Sequence, residues 1–146
     1  MKKILIPVDS SDFSLKAIEE GKKMAQAFGS DVVLFYVVGI RIAAQRFSTE
    51  VSPSPTEDPF ANYEKANAGE MLKKYKEAFG DMQDRVETIV VHGFVEDEII
   101  KKINGSDVDF VIMGSKGIGS TLHRTILGSV TNKVIHNSEK PILVVR

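Results

Sequence analysis

The sequence predicts an α/β fold: a mostly parallel five-stranded sheet with helices on both faces. Three observations carry this reading. Five short apolar runs alternate with four longer helical segments along the chain. The run at 32–38, VVLFYVV, shows no polar alternation, as expected of a strand covered on both faces of a parallel sheet. The length, 146 residues, suits one compact domain and is short for two, so 1–146 is read as a single domain without internal repeats.

The elements follow in order. The first strand, 4–8, is too short for a helix and ends at Asp9-Ser10-Ser11-Asp12, a cluster of helix N-cap residues. A helix over 12–28 places Ala17, Gly21, Met24, Ala25 and Phe28 on one face, with Gly29 as its stop. The second strand is 32–38. The stretch 39–57, with Ser52-Pro53-Ser54-Pro55 and no period, reads as a mobile surface loop. Asp58-Pro59 then opens a helix with Asp as cap and Pro at its first position; Ala68, Leu72, Tyr75 and Phe79 mark its buried face and Gly80 its end. The third strand is 86–91, with His92 after it, and a helix over 95–103 follows. The fourth strand, 109–113, runs into the glycine-rich stretch from Gly114. Leu127, Val130 and Val134 then recur at helical spacing, and Pro141 opens a last strand at 142–145.

Composition excludes several functions. Lys and Arg total 19 against 20 Asp and Glu, a formal net charge of -1, which argues against a general nucleic-acid or anionic-membrane binder. With no Cys there are no disulfides, thiol nucleophiles or cysteine metal sites. The opening Met1-Lys2-Lys3 mimics a basic leader, but Pro7 and Asp9 stop the apolar run far short of a signal peptide's core. The expectation is a soluble cytoplasmic protein.

An open α/β sheet binds ligands beyond the carboxyl ends of its strands, where strand order reverses. In the common order 3-2-1-4-5 (flavodoxin-like orders are the alternative), strands 1 and 4 meet at that point. The loops after them are the two most unusual in the chain: Asp9-Ser10-Ser11-Asp12, and the run from Gly114 through Gly117 to Gly119. These glycines can take positive φ and let a ligand reach bare backbone N–H groups. Gly128-Ser129-Val130 precedes an amphipathic segment, and a helix starting there would offer orphan N–H groups and a hydroxyl to an anion. Asp9 can accept hydrogen bonds from ribose. Turn and cap chemistry alone accounts for any one of these residues. The functional reading rests on the two loops converging.

These residues, taken together, resemble the universal stress protein family over the full length. The similarity lies in Ile6-Pro7-Val8-Asp9-Ser10-Ser11, in Val111-Ile112-Met113-Gly114-Ser115-Lys116-Gly117, and in Gly128-Ser129-Val130 followed by Pro141-Ile142-Leu143-Val144-Val145. The resemblance implies an adenine nucleotide α-hydrolase-like, Rossmann-like fold and a nucleotide-dependent switch or scaffold in stress response. ATP-binding members carry G-2x-G-9x-G-S/T. Carried over, this implicates Gly114, Gly117, Gly128 and Ser129 for phosphates, Asp9 for ribose and Val37 beside the base. Pro7, Val8, Met113 and Ser115 would line the pocket, and Val130 would offer backbone N–H. Mg²⁺ (or Mn²⁺) would accompany ATP, held by phosphates and waters. The motif departs at one point: ten residues, 118–127, separate Gly117 from Gly128 where the pattern has nine. A loop absorbs one residue cheaply. The resemblance also implies a homodimer through the apolar edge strand 142–145. A non-nucleotide-binding dimeric module and a slow ATPase are the alternatives, and AMP and cyclic nucleotides stay open as ligands.

Other chemistry is poorly represented. There is no G-x-x-x-x-G-K-S/T, and no G-x-G-x-x-G follows the first strand. A receiver domain would need Asp and Lys where His92 and Arg146 stand, and a flavin site would want a glycine in the 9–14 loop. His92, His123 and His136 lack the spacing of a zinc pair. Lys116 sits inside the glycine loop, as a phosphate ligand or a solvated cation. No catalytic residue is assigned.

Overall fold

The computed structural model describes residues 1–39, 59–105, 107–118 and 127–146. β1 (Lys3–Pro7) leads into α1 (Asp12–Phe28) and β2 (Asp31–Gly39). Next come α2 (Pro59–Glu77), a 3-10 helix (Gly80–Arg85) and β3 (Val86–Gly93). α3 (Val95–Asn104), β4 (Phe110–Gly114), α4 (Ser129–Asn137) and β5 (Ile142–Val145) complete the order. The strands form one parallel sheet, β3-β2-β1-β4-β5. This is the expected order, with β1 and β4 side by side.

The pleat divides each apolar run between two cores. On one face Ile4, Ile6, Leu34 and Ile112 pack with Ala17 and Ile18 of α1 and with Leu72 and Phe79 around the end of α2. On the other, Leu5, Val33, Val37 and Val111 pack with Ile99 and Ile103 of α3 and Val134 of α4. With both faces covered, no polar residue interrupts the central strands. Register is fixed by pairs such as Ile4↔Val32, Val37↔Val91 and Met113↔Val144.

The ends of α1 follow from its sequence. Ser11 is its N-cap, with Oγ accepting from the Ser14 N–H at 3.3 Å, and Gly29 closes it at φ +61° with its N–H bonded to the Ala25 carbonyl. Ser14, Ala17, Ile18, Gly21 and Ala25 are its buried residues. Phe28, expected on that face, is 61% exposed, because it is the last helical residue and lies past Ala25. Gly80 does not directly end α2. The helix stops at Glu77, Phe79 is buried, and Gly80, at φ +60°, starts a 3-10 helix that reaches β3. His92, expected after the third strand, lies within it opposite Val38, because β2 runs on to Gly39 and offers partners that far. Gly39 therefore belongs to a strand, while the rest of the expected loop, with the Asp58 cap, falls outside the described residues. Among the described residues, no helix is long and apolar enough to cross a membrane.

Candidate functional site

The loops after β1 and β4 meet beyond the carboxyl edge of the sheet. The contact is direct: the Ile118 N–H donates to Asp9 Oδ2 at 3.1 Å. The other carboxylate oxygen, Oδ1, accepts from the Ser11 N–H at 2.9 Å and from Ser14 Oγ at 2.8 Å, while the Asp9 N–H donates to Ser14 Oγ at 2.8 Å. The cap cluster thus serves two purposes: Ser11 starts α1, and Ser11 with Ser14 fixes the Asp9 carboxylate. The Asp9 carbonyl in turn accepts from Tyr75 Oη of α2 at 2.9 Å. Burial, then the negative charges of Asp9 and Asp12, push the Tyr75 hydroxyl above its usual pKa and keep it a donor. Tyr36 is raised in the same sense, by burial and then by Glu64 and Asp9.

The glycine loop is tied to β5 and α4. The Ser115 N–H donates to the Val145 carbonyl at 2.7 Å, the Gly128 N–H to the Ser115 carbonyl at 2.8 Å, and Thr131 Oγ1 to the Gly114 carbonyl at 2.9 Å. Gly114 and Gly117 do not take positive φ; among the described residues only Gly29 and Gly80 do. Their glycine character is steric instead. A Cβ on Gly117 would stand 2.9 Å from Asp9 Oδ2, and one on Gly128 would stand 3.2 Å from Lys116 Cα. At Gly114 it would meet Phe13 Cβ at 2.7 Å, so that glycine admits α1 rather than a ligand. Gly119 lies outside the described residues, as do 119–126 of the ten-residue stretch 118–127 that departs from the motif.

A cavity of about 540 Å³ opens at this junction, within the range of small-molecule sites. Of the sequence candidates, Val8, Asp9, Val37, Gly117, Gly128, Ser129 and Val130 line it. The other five stand behind it. Pro7 is the last residue of β1, opposite Phe35, Met113 belongs to the second core, and Ser115 and Lys116 are buried beside Gly114. Lys116 is only 7% exposed, which removes the reading of a solvated cation. Sequence reasoning missed Phe35, Tyr36, Val95, Ile99, Ile118 and Thr131, which also line the cavity. The spacing of Val95 and Ile99 on the first turns of a helix was the available signal; their facing the switch point depends on topology.

The lining is chemically divided. One side, from β2 and α3, is mostly apolar. The other is the start of α4, where the N–H groups of Ser129 and Val130 have no intrahelical carbonyl to bond and the helix dipole is positive. Asp9 lies between them. Among the described residues, no group of three or more His, Asp or Glu side chains could hold a metal ion. His92 sits within β3, and the ring of His136 is engaged with the Asn132 carbonyl through Nδ1 at 2.8 Å.

Known proteins show the same arrangement of sequence and fold. Residues 1–146 match the Universal stress protein family. The universal stress protein MJ0531 of Methanocaldococcus jannaschii is 32% identical over 99% of this chain and 82% of its own length. MJ0577 of the same organism is also 32% identical, over 99% of this chain and 94% of its own, and its solved structure superposes with a TM-score of 0.72. The Lactobacillus plantarum universal stress protein UspA shares the fold at a TM-score of 0.80 and 24% identity, over 99% of this chain and 97% of its own. A universal stress protein solved in complex with cAMP does so at 0.68 and 20%, over 99% and 97%. The universal stress protein from Archaeoglobus fulgidus in complex with dAMP follows at 0.63 and 18%, over 100% and 98%. With a full-length family match and relatives at this identity, the chain belongs to the universal stress protein family.

Proposed function

We propose that this protein binds an adenine nucleotide, ATP with Mg²⁺ first among them, and acts as a cytoplasmic nucleotide-dependent switch or scaffold in stress response. The observation that carries the reading is the divided cavity: an apolar side, a fixed carboxylate and an open helix N-terminus in sequence around one space. The phosphates face Ser129 and Val130 with Gly117 beside them, a ribose hydroxyl donates to Asp9, and the base lies along the Val37 main chain near Val95 and Ile99. Family members that share this fold have been solved with cAMP and dAMP, which supports an adenine nucleotide as the ligand class. Mg²⁺ would be held by phosphates and water.

Binding without rapid turnover fits the chemistry better than catalysis. Asp9 is the one carboxylate among the described lining residues; Ser11 and Ser14 hold its Oδ1, and the place beside Ile118 on Oδ2 goes to ribose, so it is not free to act as a base on water. The edge strand β5, with all four residues half-buried, is proposed as the homodimer seam; a 16.1 kDa particle in light scattering at micromolar concentration would contradict that.

Equilibrium dialysis with ATP·Mg²⁺ tests the reading. Wild type is expected to saturate one site per chain, and Ser129→Ala combined with Gly117→Val to lose at least about tenfold in affinity, roughly 1.4 kcal/mol. Absence of binding by wild type, or equal binding by the double variant, contradicts it.

A further inference from the structure

We propose that the Asp9 carboxylate selects nucleoside phosphates against bare polyphosphate anions; the inference rests on the nucleotide reading and extends it to the class of ligand refused. The carboxylate is set against the glycine loop. Oδ2 accepts from the Ile118 N–H at 3.1 Å and lies 2.9 Å from the place a Cβ on Gly117 would take. Gly117 N is in turn 3.7 Å from the Cβ position of Gly128, the residue that caps α4. An anion resting on the first N–H groups of α4 therefore has a fixed negative charge as a neighbour.

That charge is held in place. Ser11 N–H and Ser14 Oγ secure Oδ1, the Asp9 N–H bonds Ser14 Oγ, and Tyr75 Oη bonds the Asp9 carbonyl. A carboxylate offers about four lone-pair positions. Among the described residues Ser11, Ser14 and Ile118 occupy three, and the fourth, on Oδ2, is the place for one further donor. A nucleotide supplies that donor with a ribose hydroxyl, and its apolar base rewards the Val37 side of the cavity. A polyphosphate presents only negatively charged acceptors to the same oxygen. Discrimination thus comes from a repulsive element that the nucleotide offsets with a hydrogen-bond donor and an apolar base, and that a polyphosphate meets unrelieved.

Calorimetric titration of the full chain with ATP·Mg²⁺ and with inorganic tripolyphosphate·Mg²⁺ tests this. Wild type is expected to prefer ATP by at least about tenfold, roughly 1.4 kcal/mol. Asp9→Asn and Asp9→Ala are each expected to bind tripolyphosphate at least several-fold more tightly than wild type and ATP less tightly. Equal wild-type affinities for the two ligands, a comparison needing no variant, overturn the proposal. So does a folded Asp9 variant that gains nothing for tripolyphosphate. If ATP binds wild type but the variants gain nothing, the nucleotide reading survives and this inference falls. If the variants gain tripolyphosphate while wild type ignores ATP, the nucleotide reading falls and the selection of nucleoside phosphates falls with it, leaving only a repulsion of anions by Asp9. Binding of neither ligand to any form overturns both.

Discussion

Two glycines of this chain, one at a strand end and one inside a helix, carry opposite demands. Gly114 ends β4 against α1, and an added Cβ would meet Phe13 Cβ at 2.7 Å and the Phe13 backbone carbon and oxygen at 3.0 Å. Backbone cannot rotate away as a side-chain tip can, so Gly114→Ala is expected to destabilise by about 1–3 kcal/mol through overpacking. Gly69 sits exposed within α2 with nothing inside 4 Å of its Cβ position. Gly69→Ala is expected to stabilise by about 0.5–1 kcal/mol, since alanine restricts the unfolded chain and suits a helix interior. Urea unfolding of the two variants beside wild type reads both signs; a neutral Gly114→Ala would show that α1 moves aside freely.

Between elements, one cation spans the two helices that form opposite walls of the cavity. Lys133 of α4 lies 2.8 Å from Asp97 and 3.6 Å from Glu96, both in the first turn of α3. The hydrogen bond to Asp97, then the two carboxylate charges, hold its ammonium above the ordinary lysine pKa. The pair is exposed, so little stability is expected from it. Its expected effect is on geometry, because α3 brings Val95 and Ile99 and α4 brings Ser129 and Val130 to the same space. Lys133→Met is expected to leave the melting temperature nearly unchanged and to weaken ATP binding a few-fold, with the difference fading in high salt. Equal affinities at low salt would contradict this. Sequence revealed such elements unevenly. Doubly covered strands such as β2 are written as unbroken apolar runs, and Asp9, Gly117 and Gly128-Ser129-Val130 announce themselves by loop chemistry. Tyr36, Val95, Ile99 and Thr131 carry no such mark, since an apolar or hydroxyl residue becomes part of a site only through the sheet order that turns it there. The inclusion of His92 in β3 likewise depends on a neighbour, β2, which offers Val38 as its partner.

Across the whole molecule, binding and folding chemistry occupy opposite ends of the sheet. Where β1 and β4 begin, the backbone N–H groups of Lys2 and Lys3 donate to Asp109 Oδ2 at 2.6 and 3.0 Å, and Lys3 pairs with Asp107. The two backbone bonds hold the Asp109 carboxyl below its ordinary value of 3.8, and the Lys3 hydrogen bond does the same for Asp107. A folded-state pKa below the unfolded one contributes stability above the unfolded value, and that contribution is lost as pH falls through the folded one. Acidification from about pH 5 is therefore expected to destabilise wild type more steeply than Asp109→Asn, most of all below 3.8. Parallel slopes in a urea series would refute the assignment. At the other end, the most direct test of the central claim is thermal unfolding with and without excess ATP·Mg²⁺, on protein first freed of carried-over nucleotide. Ligand at 100 times Kd stabilises by about 2.7 kcal/mol, which for a chain of this length raises Tm by roughly 5–15 °C. A rise of that size, absent in Ser129→Ala with Gly117→Val, is the expected result; an unchanged Tm in wild type would contradict nucleotide binding at this site.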